Sequence, residues 1–187
     1  MPSAIARFID DTYDRVHAGD PKVFAECFTP DFTYTGPEAK MMSADGSLHG
    51  ENALRAMYSF EHGDKGSWSS VTRENIIEIE SGDYFLRVMK WVAKHPYESY
   101  LGFDNLPPDM EVTNHIFILY TFRDGKICNE FFAYDTLGYF TDIAQGDMQK
   151  AATALAKFAP MMSAGKGTVK DGEVQFPPFP EKRQGKI

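Results

Sequence analysis

Two cysteines, Cys27 and Cys128, are all that the chain contains, and neither stands at metal-ligand or disulfide-framework spacing. Both read as reduced core residues, which points to a cytoplasmic protein, with a disulfide between them as the alternative. A basic surplus is missing as well, the formal net charge being −8 at pH 7. Phosphate binding works by releasing counterions onto a basic surface, so nucleic acid and anionic membranes are disfavoured as partners. No apolar run is long enough to cross a bilayer. The opening residues, MPSAIARFIDDTYDRV, carry acidic groups in a helical period instead of a cationic start and an apolar block, so they do not read as a signal peptide. The five histidines, His17, His49, His62, His95 and His115, show no two-ligand spacing, and no metal is expected. A Gly-rich phosphate loop, a Ser/His/Asp signature and internal repeats are all absent.

What remains is a chain of 187 residues, suited to one domain with a sizeable core, 43% hydrophobic and 25% charged. Fifteen Phe and nine Tyr supply large side chains for a core or for the walls of an apolar cavity. Ile5, Phe8, Ile9, Tyr13 and Val16 recur at helical spacing between Ser3, a possible N-cap, and Gly19. Asp20-Pro21 offers the start of a short second helix carrying Val23, Phe24, Cys27 and Phe28, and 31–35 reads as a strand broken by Gly36-Pro37. Residues 37–50 read as a loop and Glu51 to Phe60 as a helix. Trp68 to Glu80 and Tyr84 to Lys94 then form a strand pair around Ser81-Gly82-Asp83. The second of these strands is apolar on both faces, so one face calls for helices and the other for a second subunit. The region from His95 to Asp109 reads as a long loop of functional size. Glu111 to Tyr134 forms a hairpin turning at Arg123-Asp124-Gly125. Helix is expected over 136–158 with a break near Gly146, and 163–187 reads as an extended arm.

Helices first, then a strand, a helix and a four-strand meander indicate an α+β fold. On its motifs the chain resembles the SnoaL-like polyketide cyclases of the nuclear-transport-factor-2-like superfamily. These motifs are AGD at 18–20, FTPDF at 28–32, HGENAL at 49–54, YLG at 100–102, Pro107-Pro108, DGKI at 124–127 and AYDTLG at 133–138. They cover roughly residues 5–145 in the family's order, and the tail beyond Asp147 lies outside. The resemblance implies a cone-shaped α+β barrel in residues 1–147, a curved mixed sheet wrapping the N-terminal helix around an apolar pocket. Residues 148–187 would be an appended helix and arm, not a separate domain. It also implies a homodimer through the outer sheet face, and no single activity, since relatives include cyclases, dehydratases, isomerases, epoxide hydrolases and binding modules.

The candidate catalytic residues are Asp135 and His115. Asp135 matches the terminal aspartate of the family's last strand, where an aspartate serves as general acid/base; it could equally cap the next helix. His115 interrupts an apolar strand and would hold an enolate oxygen if it faced the cavity, or hydrogen-bond in the core or at an interface if it did not. Alternation groups it with Phe117 and Leu119, opposite Asn114, Ile116, Ile118 and Tyr120, without saying which set faces inward. Arg87 shares a strand face with Phe85, Met89 and Trp91 and needs a carboxylate or oxyanion partner. With Asp135 it would supply two members of the Asp-Arg-Asp set that epoxide hydrolases of the superfamily use; an interface salt bridge is the plainer alternative. Tyr13, Tyr34 and Tyr58 come from elements that line the cone in relatives, and Trp91 and Phe131 complete the expected substrate-binding walls. Ketosteroid isomerases carry an aspartate before a proline near the end of the first strand; Gly36-Pro37 stands there in this chain, which argues against that base. The sequence therefore predicts a cofactor-independent cyclase, isomerase or dehydratase acting by proton transfer on an apolar carbonyl compound, polyketide- or terpenoid-like. A non-catalytic ligand-binding or dimerisation module on the same fold is the alternative.

Overall fold

The computed structural model describes residues 2–43, 46–54, 70–95, 98–100, 102–164, 168–170 and 173–175. Helix α1 (Ala4–His17) begins where the Ser3 hydroxyl accepts a hydrogen bond from the Ala6 N–H at 3.1 Å, and it ends at Ala18. Its apolar stripe is the one the period predicts: Ala6 and Ile9 are fully buried, and Ile5, Phe8, Tyr13 and Val16 pack beside them. Helix α2 (Val23–Cys27) starts later than Asp20-Pro21 suggested. The Asp20 carboxylate accepts from the Lys22 N–H at 2.9 Å, and this local turn precedes the helix.

Strand β1 (Phe28–Thr35) opens earlier than expected, because Phe28 already pairs with Ile127. Pro30 is tolerated in an exposed, irregular stretch where its missing N–H breaks no ladder bond. The chain leaves β1 through Gly36 at φ 135, where a Cβ would lie 1.9 Å from the Phe132 carbonyl oxygen; only glycine fits there. The expected loop contains helix α3 (Pro37–Met42), with proline in its first turn, and the short strand β2 (Ser47–His49). A helical segment, α4 (50–54), buries Ala53 and Leu54. The rest of the helix expected to Phe60, with Tyr58, and the strand start at Trp68 lie outside the described residues.

Four long strands come next: β3 (Ser70–Ser81), β4 (Tyr84–His95), β5 (Met110–Arg123) and β6 (Lys126–Tyr134). The β5–β6 turn is Asp124-Gly125, both at positive φ, as a two-residue hairpin requires. The sheet is mixed and open, in the order β2-β1-β6-β5-β4-β3, with β1 parallel to β6 and all other pairs antiparallel. It curves around α1, through contacts such as Phe8–Phe122 and Tyr13–Tyr120, to give an α+β cone.

A β-bulge in β3 and another in β6 decide which side chains of those two strands face inward. The β3–β4 register skips Ile76, and the β5–β6 register skips Cys128. Side chains alternate along a strand, so one extra residue reverses which parity points inward. Ahead of the bulge in β3, Arg73 lies inside opposite Trp91; beyond it, Glu78 lies inside opposite Arg87.

In the segments 98–100 and 102–109, Tyr100, Phe103 and Leu106 are buried, and Phe103 packs on Phe140. Helices α5 (Thr136–Ile143) and α6 (Met148–Ala164) are separated near Gly146 as expected. Ala151 and Ala154 of α6 join the core. A small ladder of β7 (Thr168–Lys170) and β8 (Glu173–Gln175) stands where an extended arm was expected. Both cysteines are free, Cys27 buried and Cys128 half-buried. Among the described residues no helix is long and apolar enough to cross a membrane.

Candidate active site

The concave side of the sheet and α1 enclose a cavity of about 390 Å³. Its apolar walls include Met89 and Trp91 of β4, Ile116 and Ile118 of β5, Phe132 of β6 and Leu54. The exposed residues of the lining, Asp10, Asp14 and Arg73, mark where the cavity meets solvent. The size lies at the low end of small-molecule sites, and apolar walls with a few converging polar groups are the usual composition of one.

The polar centre is Glu130 of β6, 2% exposed, whose carboxylate accepts a hydrogen bond from the Tyr13 hydroxyl of α1. Tyr120, also buried, sits directly across the ladder from Glu130, and its ring packs on that of Tyr13. The bulge at Cys128 produces this arrangement. Strict alternation from the buried Ile127 would carry Phe131 inward; the extra residue instead turns Glu130 and Phe132 to the cavity and Phe131 outward. A carboxylate in the middle of an apolar strand is a signal that the sequence does contain. Its face depended on a bulge that no local pattern announces.

Arg87 is 5% exposed and lines the same cavity. Its guanidinium bonds the Asp10 carboxylate at 2.6 Å and that of Glu78 at 2.8 Å, and it lies 3.5 Å from the Ala6 carbonyl oxygen. Burial alone would press the guanidinium toward neutrality. The Asp10 hydrogen bond, with Tyr120 and the Asp10 and Glu78 charges nearby, outweighs it and holds the pKa above its ordinary value. The carboxylate partners that Arg87 needed are thus intramolecular.

Of the expected site residues, Tyr13, Arg87 and Trp91 line the cavity. Tyr34 is buried against Phe132 and does not line it. Tyr58 lies outside the described residues. Phe131 is 44% exposed on the outer face, which overturns its placement as a cavity wall. His115 is exposed there too, because the inward set of β5 is Asn114, Ile116, Ile118 and Tyr120. Asp135 is exposed and caps α5, accepting from the Gly138 N–H at 2.8 Å. It borders an open groove with Leu137, Thr141 and Met148, apart from the cavity. Asp135 is not among the partners of Arg87, so these two do not form part of an epoxide-hydrolase set. Among the described residues, no group of three or more His, Cys, Asp or Glu side chains converges as metal ligands would.

The family model of the SnoaL-like domain matches residues 9–130. No curated protein matches the chain. Among solved structures, IdmH of Streptomyces antibioticus, described as a candidate polyketide cyclase, superposes with a TM-score of 0.56 at 15% identity over 76% of this chain and 99% of its own. A candidate polyketide cyclase from Acidithiobacillus ferrooxidans gives 0.55 at 15% identity over 78% and 98%. AclR of Streptomyces galilaeus, described as a candidate hydroxylase, gives 0.52 at 14% over 74% and 94%. At these identities the likeness establishes the fold.

Proposed function

This chain belongs to the SnoaL-like domain family, and on that premise we propose that it is a cofactor-independent enzyme that moves a proton on an apolar, carbonyl-containing small molecule of polyketide or terpenoid type. The observation that carries the reading is Glu130, a buried carboxyl group joined to the Tyr13 hydroxyl inside a cavity with mainly apolar walls. Set beside the carbon next to a carbonyl, Glu130, held by the Tyr13 hydroxyl, removes or returns a proton while Tyr120 holds the enolate oxygen. Trp91 and Phe132 keep the substrate in the reacting conformation. Cyclisation, isomerisation and dehydration share this step, and the polyketide cyclase descriptions of the neighbouring structures favour ring closure.

The role expected of Asp135 passes to Glu130 in this reading, because Asp135 is exposed and engaged at a helix start. A homodimer belongs to the same proposal. The cross-strand rows Ile77–Val88–Phe117 and Ile79–Leu86–Leu119–Phe131 lay an apolar band across the outer face. The free cysteines fit a cytoplasmic location.

The test is exchange of the α-protons of 2-tetralone for deuterium, monitored by NMR with and without the protein. Wild type accelerates the exchange, Glu130→Gln loses at least about a hundredfold of that acceleration, and Asp135→Asn, which keeps the helix cap, retains it. Equal acceleration by wild type and Glu130→Gln would remove Glu130 from the chemistry. No acceleration by wild type, with the ring still bound, would favour the non-catalytic binding module.

A further inference from the structure

Among the described residues, four carboxylates, Asp10, Asp14, Glu78 and Glu130, stand in or against the cavity, and two guanidiniums, Arg73 and Arg87, stand among them. Arg87, which is buried, already bonds two of those carboxylates, through its Nε, Nη1 and Nη2 atoms. An anionic ligand entering this space loses its hydration, meets the excess of like charge, and must compete with Asp10 and Glu78 for Arg87. An uncharged ligand meets neither the repulsion nor the competition for Arg87, and its loss of hydration costs less. Its hydroxyl can donate to the Glu130 carboxylate, or its carbonyl oxygen accept from Tyr120, while its ring packs on Trp91 and Phe132.

We infer that the cavity selects uncharged, ring-bearing ligands and rejects carboxylates of the same shape, with Asp10 and Glu78 as the specificity-determining residues that keep Arg87 closed to anions. Resting on the small-molecule reading above, the inference adds the charge class of the substrate. The bulge at Ile76 serves this selectivity directly, because without it Glu78 would point away from Arg87.

The experiment is calorimetric titration at pH 7 with 2-naphthol and 2-naphthoate, which share a ring and differ in charge. For wild type, naphthol binds at least about tenfold tighter. Glu78→Gln and Asp10→Asn keep an acceptor for Arg87 but remove the charge, so each narrows the preference by about threefold or more, and the double variant narrows it further. Thermal melts accompany each variant; the single substitutions, at partly exposed carboxylates, decide the matter if the double variant is unstable. Comparable binding of both probes by wild type overturns the inference, as does a ratio unchanged in folded Glu78→Gln and Asp10→Asn. The latter is also the outcome if the probes bind the outer sheet face. Failure of both probes to bind overturns it together with the proposed function. Selective naphthol binding without tetralone exchange leaves the charge rule standing and removes only the proton-transfer chemistry.

Discussion

Glu130, Phe131 and Phe132 are consecutive on β6, and they divide the two faces of the sheet between them. Glu130 and Phe132 point into the cavity, where the carboxyl group is met by Tyr13 and the ring joins the wall. Phe131 points outward into an apolar band with Leu119 and, on the edge strand, Ile79, which is 53% exposed. A one-sided sheet ordinarily keeps apolar groups inside and polar groups outside. Here the inner face carries buried charges, each with a partner, and the outer face carries uncovered hydrocarbon. Buried charge persists only where partners or a ligand meet it. Exposed hydrocarbon in a continuous band marks a contact surface. The two faces are therefore built differently, partnered charge inside and exposed hydrocarbon outside.

The comparison breaks most visibly in a pair of neighbouring substitutions. Phe132→Ala removes a buried ring from the cavity wall and is expected to cost about 3 kcal/mol, the low end for such a change because one side of the ring already faces empty space. Phe131→Ala should alter the stability of the isolated subunit by no more than about 0.5 kcal/mol. If the proposed homodimer forms, the same change should weaken it, which sedimentation across a dilution series reads. Chemical denaturation at low protein concentration separates the effects. Equal costs at the two positions would mean that the faces are not distinct.

Much of this division was legible in the sequence. The stripe of α1, the Asp124-Gly125 turn and the sorting of β5 into two sets follow from period and turn chemistry. Which set faces inward did not follow, since that depends on where α1 packs. The bulges at Ile76 and Cys128 were invisible for a related reason: an extra residue is stabilised by tertiary packing, not by a local residue preference. Glu130 and Glu78 both owe their orientation to those bulges, so the polar centre of the site was the part that the sequence hid. Residues 37–49 were missed because α3 and β2 are too short to show a period. The cap at Asp135, by contrast, was open to reading. Gly138 three residues on leaves room for the carboxylate, which a Cβ there would meet at 2.2 Å.

That cap gives a smaller effect which sharpens the contrast between the two carboxylates of the hairpin's end. Asp135→Ala removes the acceptor for the Gly138 N–H and should destabilise the protein by about 1 kcal/mol. Asp135→Asn, a comparable cap, should cost a few tenths of that at most. Neither is expected to change tetralone exchange by more than about twofold once folded protein is compared with folded protein. A large loss of exchange in Asp135→Asn, with stability intact, would return the chemistry to Asp135.

The smallest expected effect lies away from both faces and serves as their control. Asp20 sits in the α1–α2 turn, where the Lys22 N–H and then the Arg15 side chain hydrogen-bond its carboxylate and hold its pKa below the ordinary carboxylate value. A carboxylate whose folded-state pKa is depressed adds stability above its unfolded value of 3.8 and loses that contribution as pH falls through the folded value. Melting temperature should therefore drop below pH 4 slightly less steeply in Asp20→Asn than in wild type. At pH 7 the variant should be marginally less stable, because the charge-assisted bond to Arg15 is gone. Asp20 is solvent-exposed enough that salt screens much of the effect, so the difference should shrink as ionic strength rises. Exchange activity and the naphthol-to-naphthoate ratio should not move at all. A shift in either would mean that the α1–α2 turn communicates with Tyr13 through the helix, and that the inner face extends further along α1 than Glu130 and Arg87 define.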